Sequence, residues 1–137
     1  MLAGGLRAQS VTINEIKYTV NEDGQSASVT DADGSITTAN IPATVAIGGT
    51  SYPVTAIGDD AFRVCTSLKS IALPEGLQSI GIAAFYNCDA LQSVTLPEGL
   101  QTIDNRAFHG CEALASIDLP EGLQSIGDDA FRVCTSL

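Results

Sequence analysis

Basic residues are scarce in this sequence. Its 137 residues include six lysines and arginines against 16 aspartates and glutamates, which gives a formal net charge of -10 at pH 7. A surface this acidic repels phosphate groups, so the composition argues against nucleic acid and anionic membrane surfaces as partners. The charge favours solubility but identifies no ligand.

Long hydrophobic runs and partnered histidines are also missing. The sequence has no run of about 18 or more apolar residues, which predicts that no helix spans a membrane. Its single histidine, His109, has no nucleophile and carboxylate at a spacing typical of catalysis, and a lone histidine is weak support for an enzyme. We therefore predict no catalytic residues, no metal site, no cofactor and no enzymatic activity.

The sequence does contain a repeated twelve-residue segment. Residues 57–68, I-G-D-D-A-F-R-V-C-T-S-L, return letter for letter as residues 126–137. Between the two copies the pattern recurs in steps of 23 residues, a period in the range of leucine-rich repeats and outside that of helical solenoids. All four phenylalanines and all four cysteines keep this step: Phe62, Phe85, Phe108 and Phe131, and Cys65, Cys88, Cys111 and Cys134.

Each unit also contains a short strand template. Residues 68–73 read L-K-S-I-A-L, and residues 91–96 and 114–119 follow the same pattern. Alternate side chains of a strand face opposite sides, so Ile71 and Leu73 should point inward and Ser70 and Ala72 outward. The proline after each template ends the strand because it has no N–H to donate. The glycine two residues later (Gly76, Gly99 and Gly122) suits a turn with unusual backbone angles.

The other leg of each unit, I-G-D-D-A-F-R-V-C at residues 57–65, places glycine and aspartate before Ala-Phe. This pattern predicts the cap of a short helical or 3₁₀ turn that directs the phenylalanine inward. One unit cannot bury its apolar side alone, whereas stacked units align Leu, Ile, Phe and Cys in continuous ladders. The position after each phenylalanine holds Arg63, Tyr86, His109 or Arg132, and this variety predicts an exposed, unconstrained slot.

The four cysteines admit two interpretations. Their 23-residue spacing fits no zinc site, because zinc ligands come in close pairs. Stacked units would place them near enough for disulfides, but parallel side chains point the same way rather than at one another. A ladder of buried thiols is the favoured prediction, with disulfides as the alternative.

Residues 11–35 differ from the repeats and predict an N-terminal β-hairpin cap. Residues 16–20 and 26–30 alternate apolar and polar side chains around Asp23-Gly24, which is a hairpin signal. Residues 36–42 fit the strand template as a degenerate first repeat, and the extra residues around Gly48-Gly49 predict a second small hairpin. Residues 1–10 are either a disordered, frayed terminus or the remnant of a signal peptide.

The last unit stops at Leu137, the first position of what would be another strand. We therefore predict that residues 36–137 are a repeat array truncated at its C-terminus. An uncapped end exposes apolar side chains, so the chain should self-associate through this end or fray near Leu137. Light scattering and hydrogen exchange test this expectation, which a strictly monomeric chain with a fully protected C-terminus would contradict.

Residues 36–137 resemble the BspA-like leucine-rich-repeat family. The resemblance rests on the repeated twelve-residue segment, the strand L-K-S-I-A-L-P and the 23-residue step. The sequence departs from commoner leucine-rich repeats, which have asparagine just past the strand where this chain has glycine. The predicted fold is an α/β-type solenoid with parallel strands on one face, short helical turns on the other and an N-terminal β-hairpin cap. The family is typically secreted or surface-attached and linked to adhesion. The resemblance thus implies a bacterial secreted or cell-surface module that binds host extracellular or bacterial surface proteins.

The outward face of the predicted strands is the expected binding surface, as in other solenoids. It would carry two columns on four short strands: Thr38, Ser70, Ser93 and Ser116, and beside them Asn40, Ala72, Thr95 and Asp118. The second column varies between otherwise similar units, which is where a ligand would be distinguished. Neither column contains an aromatic residue, which counts against a strong hot spot. A passive spacer in a longer surface protein is the alternative function.

Overall fold

A computed structural model describes residues 9–137, so the predictions for residues 1–8 lie outside the described part of the chain. Within it the chain forms eleven strands and no helix. The strands are β1 (Ser10–Ile13), β2 (Ile16–Val20), β3 (Ala27–Ala32), β4 (Thr38–Asn40), β5 (Thr44–Ile47), β6 (Thr50–Ile57), β7 (Ser70–Ala72), β8 (Ser79–Ile80), β9 (Ser93–Thr95), β10 (Thr102–Ile103) and β11 (Ser125–Ile126).

The repeats stack through two parallel ladders. In the first, β4, β7 and β9 lie side by side with Ala39 opposite Ile71 and Ile71 opposite Val94. In the second, β3, β6, β8, β10 and β11 follow one another, and the Ile57, Ile80, Ile103 and Ile126 positions are in register. The predicted parallel strands are therefore present. The second ladder was not predicted, because its strands are mostly two residues long and show no alternation.

The predicted short helical turns are wrong. Residues 58–67 and their counterparts form successive tight turns instead, with left-handed backbone at every fourth residue: Asp60 and Val64 (φ 60° and 57°), Ala83 and Asn87 (both 55°), Arg106 and Gly110 (58° and 76°), and Asp129 and Val133 (59° and 60°). A residue with positive φ cannot continue a right-handed helix. The expected positive φ at Gly76, Gly99 and Gly122 is also absent.

Hydrogen bonding explains why this backbone replaces a helix. Alternate amides close turns within the unit: Ala61 to Gly58, Arg63 to Asp60 and Cys65 to Phe62. The amides between them donate to carbonyls of the next unit: Asp60 to Ile82 (2.9 Å), Phe62 to Ala84 (2.7 Å) and Val64 to Tyr86 (2.7 Å). A helix would use all these groups internally, whereas this arrangement satisfies the backbone and joins the units together.

The strained backbone at Val64 leads to a stability prediction. A β-branched residue with φ of 57° is unfavourable, and the side chain is 48% exposed, so little packing depends on it. Asn87 occupies the same position in the next unit with φ of 55°, and asparagine tolerates this conformation. Val64→Asn should therefore raise the free energy of unfolding by about 1 kcal/mol in urea titrations.

The matched control for this substitution is Thr66→Asn, at an exposed position without positive φ. It should change stability by less than about 0.5 kcal/mol. A loss of stability in Val64→Asn would contradict the strain argument.

The N-terminal strands add to the same core. The predicted hairpin around Asp23-Gly24 is present as β2 and β3, and the hairpin at Gly48-Gly49 (φ 59° and 84°) is present as β5 and β6. Strand β1 was not predicted; it pairs with β2 across a turn in which Asn14 and Glu15 have φ of 52° and 69°. Buried Ile16, Tyr18, Ala27 and Val29 pack with the apolar residues of the repeats.

The phenylalanines form the predicted column in the core. Rings of Phe62, Phe85, Phe108 and Phe131 stack at successive centroid distances of 5.1, 5.0 and 5.4 Å, with interplanar angles of 2°, 4° and 2°. The first three rings are fully buried, while Phe131 at the end of the column is only partly buried. Inward-facing phenylalanine is thus confirmed even though the turn that carries it is not helical.

The last unit is less regular than the repeat pattern predicts. Residues 114–119 form no strand, and Leu119, Ile126 and Leu137 are 48%, 45% and 53% exposed. Among the described residues, the amides of Asp129, Phe131 and Val133 have no backbone acceptor, because in earlier units that acceptor belongs to the following unit. The C-terminal unit of the described residues therefore exposes apolar side chains and unpaired amides. Self-association through this unit stays a prediction.

Candidate binding surface

The structure exposes all eight residues predicted for the strand face. Thr38, Ser70 and Ser93 lie opposite one another across β4, β7 and β9, and Asn40, Ala72 and Thr95 form the neighbouring column. The alternating exposure follows from strand geometry, since the residues between these columns turn into the core. The result is a surface of small, mostly polar side chains with no charged group on its three strands.

Ser116 and Asp118 are exposed but do not extend the sheet, so the predicted fourth strand is absent. The segment that carries them stands beside β9, and Thr95 and Asp118 line a cleft of about 200 Å³ together with Leu119. Of the eight predicted residues, six lie on one sheet and two flank its open edge.

The slot after each phenylalanine is not unconstrained as predicted. The Tyr86 ring stacks on the His109 ring at a centroid distance of 4.8 Å and an interplanar angle of 10°, and the Arg63 guanidinium lies 4.7 Å from the Tyr86 centroid. Different side chains occupy this column because cation–π and ring stacking link unlike partners. The Tyr86 side chain therefore contacts the corresponding side chains of both neighbouring units.

His109 shows no catalytic arrangement within the described residues. Its Nδ1 atom is buried without a hydrogen-bond partner, and the ring is held against Tyr86. Among residues 9–137, no group of three or more His, Cys, Asp or Glu side chains could hold a metal ion. The same part of the chain has no helix with the length and apolarity that crossing a bilayer requires.

The cysteines form a ladder of free, buried thiols. The thiols of Cys88, Cys111 and Cys134 donate to the carbonyls of Phe62, Phe85 and Phe108 at 3.1, 3.2 and 3.0 Å. Burial raises the pKa of Cys111 to about 12, and burial with the carboxylates of Asp31 and Asp33 raises the pKa of Cys65 to about 11. The reactive thiolate is therefore scarce at neutral pH, and the ladder is structural.

A second cleft lies at the N-terminal edge of the strand face. It has a volume of about 570 Å³ and is lined by Thr38, Ala39, Asn40 and Pro42 on one side and by Ile13, Asn14, Ile16 and Tyr18 on the other. The Tyr18 side chain is 2% exposed, and burial raises the pKa of its hydroxyl. Sequence reasoning missed this site because only the fold brings β1 and β2 beside β4.

The comparisons with known proteins agree with the repeat architecture. The BspA type leucine rich repeat region matches residues 32–137 in six copies. A leucine-rich repeat protein from Bacteroides ovatus has a similar structure, with a TM-score of 0.84 and 34% identity over 90% of this chain and 33% of its own. One from Bacteroides capillosus has a TM-score of 0.82 and 36% identity over 90% and 91%. The T. pallidum leucine rich repeat protein has a TM-score of 0.78 and 28% identity over 94% and 69%.

No curated protein sequence matches the chain, and the chain spans about a third (33%) of the Bacteroides ovatus protein. The family match covers most of the sequence and includes every repeat identified from the 23-residue step. Two parallel ladders, stacked phenylalanines and this match lead to one conclusion: the chain belongs to the family of proteins with BspA-type leucine-rich repeats.

Proposed function

We propose that this chain is a non-enzymatic, secreted or cell-surface module that adheres to host extracellular or bacterial surface proteins through its strand face. The observation that carries the proposal is the register of β4, β7 and β9, which aligns exposed side chains in two columns. Membership in a family that is typically secreted or surface-attached supports the location.

The size of the surface limits its affinity. Three strands of three residues present far less than the roughly 800 Å² per partner of a standard protein interface. Small side chains also lack the aromatic and arginine anchors of strong hot spots. Binding through this face should therefore be weak per copy and should depend on avidity across several copies or a longer repeat array.

The direct test measures binding of the purified chain, displayed in many copies on beads, to host extracellular proteins and to bacterial cells at micromolar concentrations. The double substitution Thr95→Ala/Asp118→Ala should reduce binding several-fold, since both side chains flank the 200 Å³ cleft at the edge of the face. Thr66→Ala/Asp89→Ala removes the same two side-chain types from exposed positions outside the columns and should leave binding unchanged.

The outcomes separate the candidate functions. Absence of binding by the wild-type beads would favour the passive spacer. Unchanged binding by Thr95→Ala/Asp118→Ala would place the binding site elsewhere than the strand face. A hydrolytic activity that disappears in His109→Ala would overturn the non-enzymatic assignment.

A further inference from the structure

Strand β4 has one edge without a partner strand. The Lys69 N–H donates to the Thr37 carbonyl at 2.8 Å, and the Ile41 N–H donates to the Ala72 carbonyl at 3.0 Å. Alternate residues of a strand direct their main-chain groups to opposite sides, so Thr38 and Asn40 direct theirs away from β7. Strand β4 ends its sheet on that side among the described residues.

This free edge lies along the 570 Å³ cleft, which Thr38, Ala39, Asn40 and Pro42 line from β4. Pro42 continues the same register, so its missing N–H costs no hydrogen bond to β7. A cleft of this volume is within the range of ligand-binding sites. The hairpin of β1 and β2 forms the opposite wall and leaves space between the two walls.

The opposite wall combines two apolar residues with two polar ones. Ile13 (40% exposed) and Ile16 line it together with Asn14 and Tyr18, and none of the lining residues is charged. Tyr18 is 2% exposed and lines the cleft. A tyrosine hydroxyl can both donate and accept, so one in the wall of a cleft can bond a main-chain group of an occupant.

We propose that this cleft binds an extended peptide segment of a protein partner by adding it as a strand to the free edge of β4. The main-chain groups of Thr38 and Asn40 pair with the segment, apolar side chains of the segment pack on Ile13 and Ile16, and Tyr18 bonds its backbone. Because the lining is uncharged and the protein carries a net charge of -10, the segment is apolar where it inserts and basic on its flanks. This site shares Thr38 and Asn40 with the strand face, but it uses their main-chain groups rather than the two columns of side chains.

The experiment titrates the ¹⁵N-labelled full chain with the capped peptide Lys-Thr-Val-Thr-Val-Thr-Lys and follows amide chemical shifts. Saturable shifts should concentrate at residues 13–18 and 38–41. A peptide of the same sequence with N-methylated central residues cannot pair with a strand edge and should show no binding. Binding of the methylated peptide with equal affinity, or shifts confined to other residues, would overturn the proposal, as would absence of binding by the unmodified peptide.

Substitutions at one position separate main-chain from side-chain recognition. Asn40→Pro removes an N–H that faces the cleft and leaves the bonds of β4 to β7 in place, so it should weaken peptide binding roughly tenfold. Asn40→Ala removes the side chain but keeps the N–H and should change binding less than about twofold. Equal affinities in Asn40→Pro and the wild type would contradict strand addition.

A second variant tests the same site in case Asn40→Pro does not fold. Ile13→Arg places a positive charge at an exposed position of the cleft and should weaken binding of the basic peptide at least roughly fivefold. The Thr95→Ala/Asp118→Ala variant should bind the peptide like the wild type, because neither residue lines this cleft. Its result distinguishes failure of this site from failure of the proposed adhesion surface.

Discussion

Replacing Phe85 with alanine should lower the free energy of unfolding by about 4 kcal/mol. The ring is fully buried and stacks on Phe62 at 5.1 Å and on Phe108 at 5.0 Å. The substitution removes buried apolar area, leaves a cavity and breaks two ring contacts worth about 0.5–1.5 kcal/mol each. Urea denaturation followed by circular dichroism measures the loss, which is a large part of the roughly 5–15 kcal/mol typical of a domain.

The matched control is Phe131→Ala at the end of the column. Phe131 is only partly buried and stacks on one ring, that of Phe108, at 5.4 Å. Its loss should therefore cost about half as much as that of Phe85, on the order of 2 kcal/mol. Equal costs at the two positions would contradict an array in which each ring depends on the units above and below it.

Gly81→Ala should destabilise the protein by about 3 kcal/mol, although it adds only one methyl group. A Cβ at Gly81 would lie 2.8 Å from the Asp59 nitrogen and 2.9 Å from the Gly58 carbonyl carbon. These are backbone atoms of the preceding unit, so relief requires the units to separate. Separation would also strain the bond from the Ile82 N–H to the Asp59 carboxylate, which measures 2.8 Å. Thermal denaturation should show a clearly lower Tm.

The control for this prediction is Gly76→Ala, a second glycine-to-alanine change in the repeats. No atom lies within 4 Å of a Cβ at Gly76, and its φ is not positive. Alanine should then be neutral or should stabilise the protein by about 0.5 kcal/mol through the unfolded state. A neutral Gly81→Ala would show that the units do not pack as closely as the structure indicates.

Patterns that recur along the chain allowed correct prediction of the packing between units. The spacing of Phe62, Phe85 and Phe108 placed three rings in one column, and the alternation around Ile71 placed Ser70 and Ala72 outside. Both inferences need only the step of the repeat and the period of a strand.

Predictions from local patterns were wrong where the backbone of one repeat makes its hydrogen bonds to the next repeat. Glycine and aspartate before Ala-Phe suggested a helix cap, but the amides of Asp60, Phe62 and Val64 donate to the next unit. The strand template also failed at residues 114–119, which form no strand; among the described residues, the Ala115 N–H reaches the Gln92 carbonyl of the preceding unit at 3.4 Å. In the turns, the neighbouring unit decides the local conformation.

By itself, the sequence determined which residues share a column and which face each column occupies, because side chains at a constant step are brought onto their counterparts in the next unit. Only the tertiary structure decided the left-handed turns at Asp60 and Val64 and the cleft between Tyr18 and Asn40. Those features depend on hydrogen bonds and contacts between segments distant in the chain, and no spacing within one segment encodes how two such segments meet.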